Sequence, residues 1–168
     1  TADTALYIEP PASNVQVTSL TIDRCYTGVT FRENPGSPAT TAVDVVLSNM
    51  KISNCTSAFD LSCDGSGATT PIFDQVFITG CVLNNNVENV LAKACTIRFQ
   101  GNYIHGSDES GKWAVVVDTG PKSVVLGNVI EDTARGVYVL DSPDTSVLFN
   151  TFIDLSDGVI GQDATGND

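Results

Sequence analysis

The segment Val125-Leu126-Gly127-Asn128-Val129-Ile130-Glu131-Asp132-Thr133 decides the fold. It sets an apolar residue, an Asn three positions on, an isoleucine two further on, and a small polar residue after three more. The phrase, with Asn or an apolar residue at its second place, recurs six times. Its isoleucines are Ile22, Ile52, Ile78, Ile104, Ile130 and Ile153, spaced by 30, 26, 26, 26 and 23 residues. Five positions before them stand Val17, Leu47, Phe73, Phe99, Val125 and Leu148, and three positions after them Cys25, Cys55, Cys81, Ser107, Thr133 and Ser156. Self-similarity at such a period marks a repeat architecture. Each unit adds a second apolar pair: Val29 and Phe31, Phe59 and Leu61, Val90 and Leu91, Val115 and Val117, Val137 and Val139, Val159 and Ile160.

Within a unit, apolar and polar residues alternate at period two for about five residues and then give way to Gly, Asn, Asp or Ser, the signature of short strands joined by turns. No segment sustains a long amphipathic helix. One unit cannot bury its own apolar face, but parallel stacking of equivalent strands at ~4.8 Å per rung closes a core and completes the backbone ladder. The prediction is a single all-β domain over residues 1–168, a parallel β-solenoid of about seven rungs. The turns vary in length at Asn34 to Thr41, Asp64 to Pro71 and His105 to Lys112, where loops project from a fixed scaffold.

The recurring phrases Leu126-Gly-Asn-Val-Ile130 and Phe149-Asn-Thr-Phe152, with the isoleucine column, resemble the right-handed parallel β-helix of the pectate-lyase-like superfamily over roughly residues 6 to 160. Members of that superfamily include pectate lyases, polygalacturonases, alginate epimerases, phage tailspikes and bacterial adhesins. The resemblance therefore implies architecture more than activity. A tailspike or tail-fibre module is the member the chain most resembles, and that likeness implies an extracellular or virion-surface location and a homotrimer within a larger fibre.

Composition narrows the partners. Lys and Arg total 8 against 20 Asp and Glu, a formal net charge of -12, which opposes nucleic acid and anionic lipid. No apolar run reaches the ~20 residues that cross a bilayer. Thr1-Ala-Asp-Thr-Ala carries neither an initiator Met nor a leader pattern, so the chain reads as an excised piece or module of a longer protein. Five cysteines spaced by 30, 8, 18 and 14 residues, without a CxxC pair, signal neither a zinc site nor a dense disulfide framework. Cys25, Cys55 and Cys81 are expected to stack as a packing column. Asn102, Asn128 and Asn150 are expected to form an amide ladder along the axis.

Acids recur just past the second strand of most units: Glu33, Asp64, Asp118, Asp141 and Asp163. Two carboxylates on adjacent rungs lie ~5 Å apart and on alternate rungs ~10 Å, bracketing the separations of retaining and inverting glycosidases. Asp118, Asp141 and Asp163 are thus the candidate catalytic set, although Asp141-Ser-Pro-Asp144 and Asp118-Thr-Gly-Pro121 also read as turns. The same acids suit Ca²⁺, an ion the resemblance also implies, but no EF-hand spacing supports it. No other cofactor is indicated. A lyase needs a cationic base, and only Arg135 and Lys112 fall near the acids by rung count. Trp113, with Arg135 and Tyr138, is the candidate platform for a sugar ring. The sole histidine, His105, is expected in a polar loop without a catalytic partner.

These features predict a carbohydrate-recognising β-helix of the tailspike kind that binds a cell-surface polysaccharide, with or without hydrolysing it; the alternative is a non-enzymatic structural or adhesive stalk. A calcium-dependent polysaccharide lyase is a third reading, and the scarcity of cations weighs against a polyanionic substrate. An ice-binding solenoid would need a Thr-x-Thr face, and the threonines keep no register.

Overall fold

The computed structural model of the chain describes residues 3–9, 13–31, 42–62, 73–107 and 110–162. Within them the strands alternate among three parallel sheets. Sheet A holds β1 (Thr4–Ile8), β4 (Thr27–Phe31), β7 (Ser57–Ser62), β10 (Glu88–Lys93), β13 (Trp113–Asp118), β16 (Arg135–Leu140) and β19 (Asp157–Gln162), numbered in chain order. Sheet B holds β2 (Gln16–Thr18), β5 (Ala42–Ser48), β8 (Phe73–Thr79), β11 (Cys95–Gln100), β14 (Val124–Leu126) and β17 (Ser146–Leu148). Sheet C holds β3 (Thr21–Asp23), β6 (Lys51–Ser53), β9 (Val82–Asn84), β12 (Tyr103–Ser107), β15 (Val129–Thr133) and β18 (Thr151–Ile153). Every strand pairs with the strand three places on, so each rung contributes one strand to each sheet. This is the parallel β-helix that the repeat predicts, seven strands deep on sheet A.

Three inward columns make the core. Sheet B points Val17, Leu47, Ile78, Phe99 and Val125 inward, sheet C points Ile22, Ile52, Leu83, Ile104 and Ile130, and sheet A points Val29, Phe59, Val90, Val115 and Val137. Leu47, Ile52, Phe59, Phe99 and Ile104 are fully buried, and each such side chain contributes about 1.5–3 kcal/mol of transfer free energy. Between sheets B and C the chain turns through a left-handed residue in every rung: Ser19, Asn49, Gly80, Gly101, Gly127 and Phe149, with φ between 52° and 64°. Asn and Gly adopt that conformation at least cost, which accounts for the Gly127-Asn128 of the opening phrase.

From Met50 onward the next residue turns its side chain inward, and where it is Asn102, Asn128 and Asn150 the amide ladder forms as expected. Asn128 Oδ1 accepts from the Asn102 backbone N–H at 2.9 Å, and Asn150 Oδ1 accepts from the Asn128 N–H at 2.9 Å. Nδ2 of Asn128 donates to the Phe99 carbonyl at 3.0 Å and to Asn150 Oδ1 at 2.8 Å. Each amide satisfies corner groups that the strand ladders leave unpaired.

Three sequence expectations shift by a strand or a residue. Ile78 belongs to sheet B opposite Leu47 and Phe99, and Leu83 fills the sheet C column between Ile52 and Ile104. The cause is the left-handed Gln75 (φ 58°), which kinks β8 so that Phe73, Val76 and Ile78 all point inward and imitate the phrase one strand early. In the last rung Phe152, not Ile153, pairs with Ile130, and Val147, not Leu148, pairs with Val125. A one-residue slip exchanges the two faces of a strand, and Leu148 and Ile153 are accordingly exposed. The cysteine column therefore contains only Cys25 and Cys55. Cys81 stands between sheets B and C, its N–H bonded to Asn102 Oδ1 at 2.8 Å, while Asn86 takes the third place and accepts from the Cys55 N–H at 3.0 Å. The insertions at 34–41 and 64–71 lie outside the described residues.

Candidate functional site on the outer face of sheet A

Strands β10, β13 and β16 of sheet A share one pattern of six positions. The first, fourth and sixth side chains face outward; the third and fifth enter the core; the second, Asn89, Ala114 or Gly136, is buried at the corner. Strand register then assembles side chains that are 22 to 25 residues apart in sequence. Trp113 and Arg135, at the first position of adjacent rungs, are register partners, and Val116 pairs with Tyr138 at the fourth. The candidate sugar-binding trio thus comes together. The Trp113 and Tyr138 rings stack at 5.2 Å between centroids with planes 19° apart, and Arg135 Cζ lies 5.3 Å from the Trp113 ring. Arg135 Nε is paired with Asp157 Oδ2 at 3.1 Å, and Tyr138 Oη donates to Gln162 Oε1 at 2.7 Å.

On the β10 side of Trp113 an open pocket of about 130 Å³ is lined by Glu88, Leu91, Lys112, Trp113 and Val116, among others. Tyr138 and Arg135 belong to the rung on the other side, so they back the indole while its second face borders the pocket. Lys112 and Glu88 form an ion pair at the rim. Leu91 is where the sequence reading erred: it faces outward as the register partner of Val116, and Ala92 enters the core in its place. An adjacent apolar pair, Val90-Leu91, hides which member points inward. The floor Leu91, Val116, Tyr138 and Ile160 is a continuous apolar stripe along the helix axis.

The candidate acids lie at the far end of the same strands. Asp118 holds the sixth position, five residues or ~16 Å from Trp113, and its register partners are Lys93 and Leu140. Asp141 follows β16 in the left-handed conformation (φ 45°), its N–H donating to the Gln162 carbonyl. Burial raises the Asp118 carboxyl above its ordinary range; Lys93 opposes this and the negative charge of Asp141 adds to it. Lys93 is a neighbour that spacing alone did not reveal. Arg135 and Lys112, by contrast, sit at the opposite edge of the sheet, away from these acids. Asp163, Glu33 and Asp64 lie outside the described residues. His105 is not in a loop: β12 runs through it to Ser107. It stacks on Tyr103 at 6.1 Å, with Nδ1 3.3 Å from Glu131 Oε1. Among the described residues no three His, Cys, Asp or Glu side chains gather as metal ligands.

Neither a family model nor a curated protein matches the sequence. The solved structure of the Streptococcus pneumoniae surface protein and adhesin PfbA is similar to it in fold. The superposition has a TM-score of 0.55 at 13% identity and covers 89% of this chain and 49% of that one. This chain therefore spans about half the length of that structure, and the likeness is one of architecture.

Proposed function

We propose that the chain is a glycan-recognising β-helix module that binds a neutral or weakly charged cell-surface polysaccharide along the outer face of sheet A. The observation that carries this reading is the Trp113 indole, backed by Tyr138 and Arg135 and bordering an apolar pocket. An aromatic face held rigid in this way is complementary to the C–H face of a pyranose ring. The ion pairs Lys112–Glu88 and Arg135–Asp157 supply donors and acceptors for ring hydroxyls at its edge. A net charge of -12 disfavours a polyanion. A phage tailspike trimer and a bacterial surface adhesin would both present such a face to a cell envelope, and the fold shared with an adhesin agrees with the second setting.

One observation favours hydrolysis in addition to binding. A glycosidase needs one carboxyl kept protonated beside one kept ionised, and Asp118 has a raised pKa with Asp141 as a charged neighbour. The test is a screen of the purified chain against bacterial surface polysaccharides, following binding, reducing ends and unsaturated products, with and without a calcium chelator. Binding supports the module, and reducing ends lost in both Asp118→Asn and Asp141→Asn add the hydrolase. Ultraviolet-absorbing products that need calcium would replace it with a lyase. No binding to any neutral glycan would overturn the reading.

A further inference from the structure

We infer that Cys25 and Cys55 are a dithiol pair that closes to a disulfide when the protein meets a small-molecule disulfide or a thiol oxidase, stapling the first rung to the second. Their side chains turn into the same corner on neighbouring rungs, three positions after the register partners Ile22 and Ile52, with Sγ atoms 2.8 Å apart. Parallel rungs stand ~4.8 Å apart, within the Cα separations a disulfide accepts, so closure needs no rearrangement of the backbone. The pair is specific. Cys81 occupies a different corner and directs its thiol at the Leu47 and Thr79 carbonyls.

The chemistry balances by exchange. Cys25, half-buried where Cys55 is buried, loses its proton to solvent and attacks the external disulfide, displacing one thiolate. The Cys55 thiolate then attacks the Cys25 sulfur and displaces the second. Two protein thiols are oxidised and one external disulfide is reduced to two thiols. Burial and the neighbouring Cys55 push the Cys25 thiol up to about 12. The exchange is therefore slow near neutral pH and accelerates as pH rises, and once the bond has formed Cys25 is a poor leaving group, which slows its reduction. The staple closes a segment whose ends are 30 residues apart and fixes β3, the edge strand of sheet C.

The test incubates the folded chain with oxidised glutathione at pH 7 and pH 9, alkylates it without reduction, and maps tryptic peptides by mass spectrometry. The expected product joins the peptide Cys25–Arg32 to the peptide Ile52–Lys93, forms faster at pH 9, and is absent from Cys25→Ser and Cys55→Ser but present in Cys81→Ser. Its reduction should lower the melting temperature of the wild type and of Cys81→Ser, and leave those of Cys25→Ser and Cys55→Ser unchanged. Alkylation of both Cys25 and Cys55 after oxidation, or the same cross-link in Cys55→Ser, would overturn the pairing.

Discussion

Trp113 and Tyr138 stack across adjacent rungs with ring centroids 5.2 Å apart. The indole that borders the pocket is thus held from behind by a residue that does not line it. Tyr138→Ala removes that support together with the hydrogen bond to Gln162. A stacked pair of this kind is worth about 0.5–1.5 kcal/mol, so glycan affinity should fall roughly two- to twelvefold with the circular dichroism spectrum unchanged. Titration of the glycan found in the screen checks this, and unaltered affinity would show that Trp113 needs no backing.

Asn128 is fully buried and serves four groups: it accepts from the Asn102 backbone and side chain and donates to Phe99 O and Asn150 Oδ1. Asn128→Ala leaves the Asn102 N–H and the Phe99 carbonyl buried without partners, at about 1–3 kcal/mol each. The urea midpoint should drop sharply, whereas a change at the exposed Asp154 corner should be mild.

Phe149 occupies the left-handed corner that Asn49 and Gly127 fill in other rungs, with φ 53° and its side chain 86% exposed. A non-Gly, non-Asn residue costs about 1–2 kcal/mol there, and little packing is lost on its removal. Phe149→Asn should therefore stabilise the last rungs by about 1 kcal/mol in thermal or urea unfolding. A loss of stability instead would mean that the exposed ring is covered in solution, as by another copy of the chain.

Asp118 titrates above its ordinary range because burial disfavours its charge and Asp141 adds repulsion, with Lys93 partly offsetting both. For an acid raised on folding, the native state holds the extra proton. Stability from this group is present below the unfolded pKa near 4 and is lost as pH rises through the raised folded value. Asp118→Asn should leave the urea midpoint at pH 3 unchanged and raise it at pH 7. A lower midpoint at pH 7 would show that the ionised carboxylate, through Lys93, holds the fold.

The architecture was legible because each rung repeats the same physical solution, with inward Val, Leu, Ile or Phe flanking a corner of Asn or Gly. The phase was harder to read. Gln75 in a left-handed kink made β8 mimic the phrase one strand early, and Phe152-Ile153 offered two apolar residues where one faces the core. The chemistry of Trp113, Arg135 and Tyr138 is visible in the sequence, yet their contacts depend on the register of β13 against β16. Leu91 and Lys93 were missed for the same reason, since only register brings them beside Val116 and Asp118.

Glycan binding through the outer face of sheet A is tested most directly by comparing wild type and Trp113→Ala by calorimetry against the polysaccharide that the screen returns. The side chain stands on an outward position, so the variant should keep its fold, and its affinity should fall at least tenfold. Equal affinity in the two proteins would contradict the account and place recognition on another face of the helix.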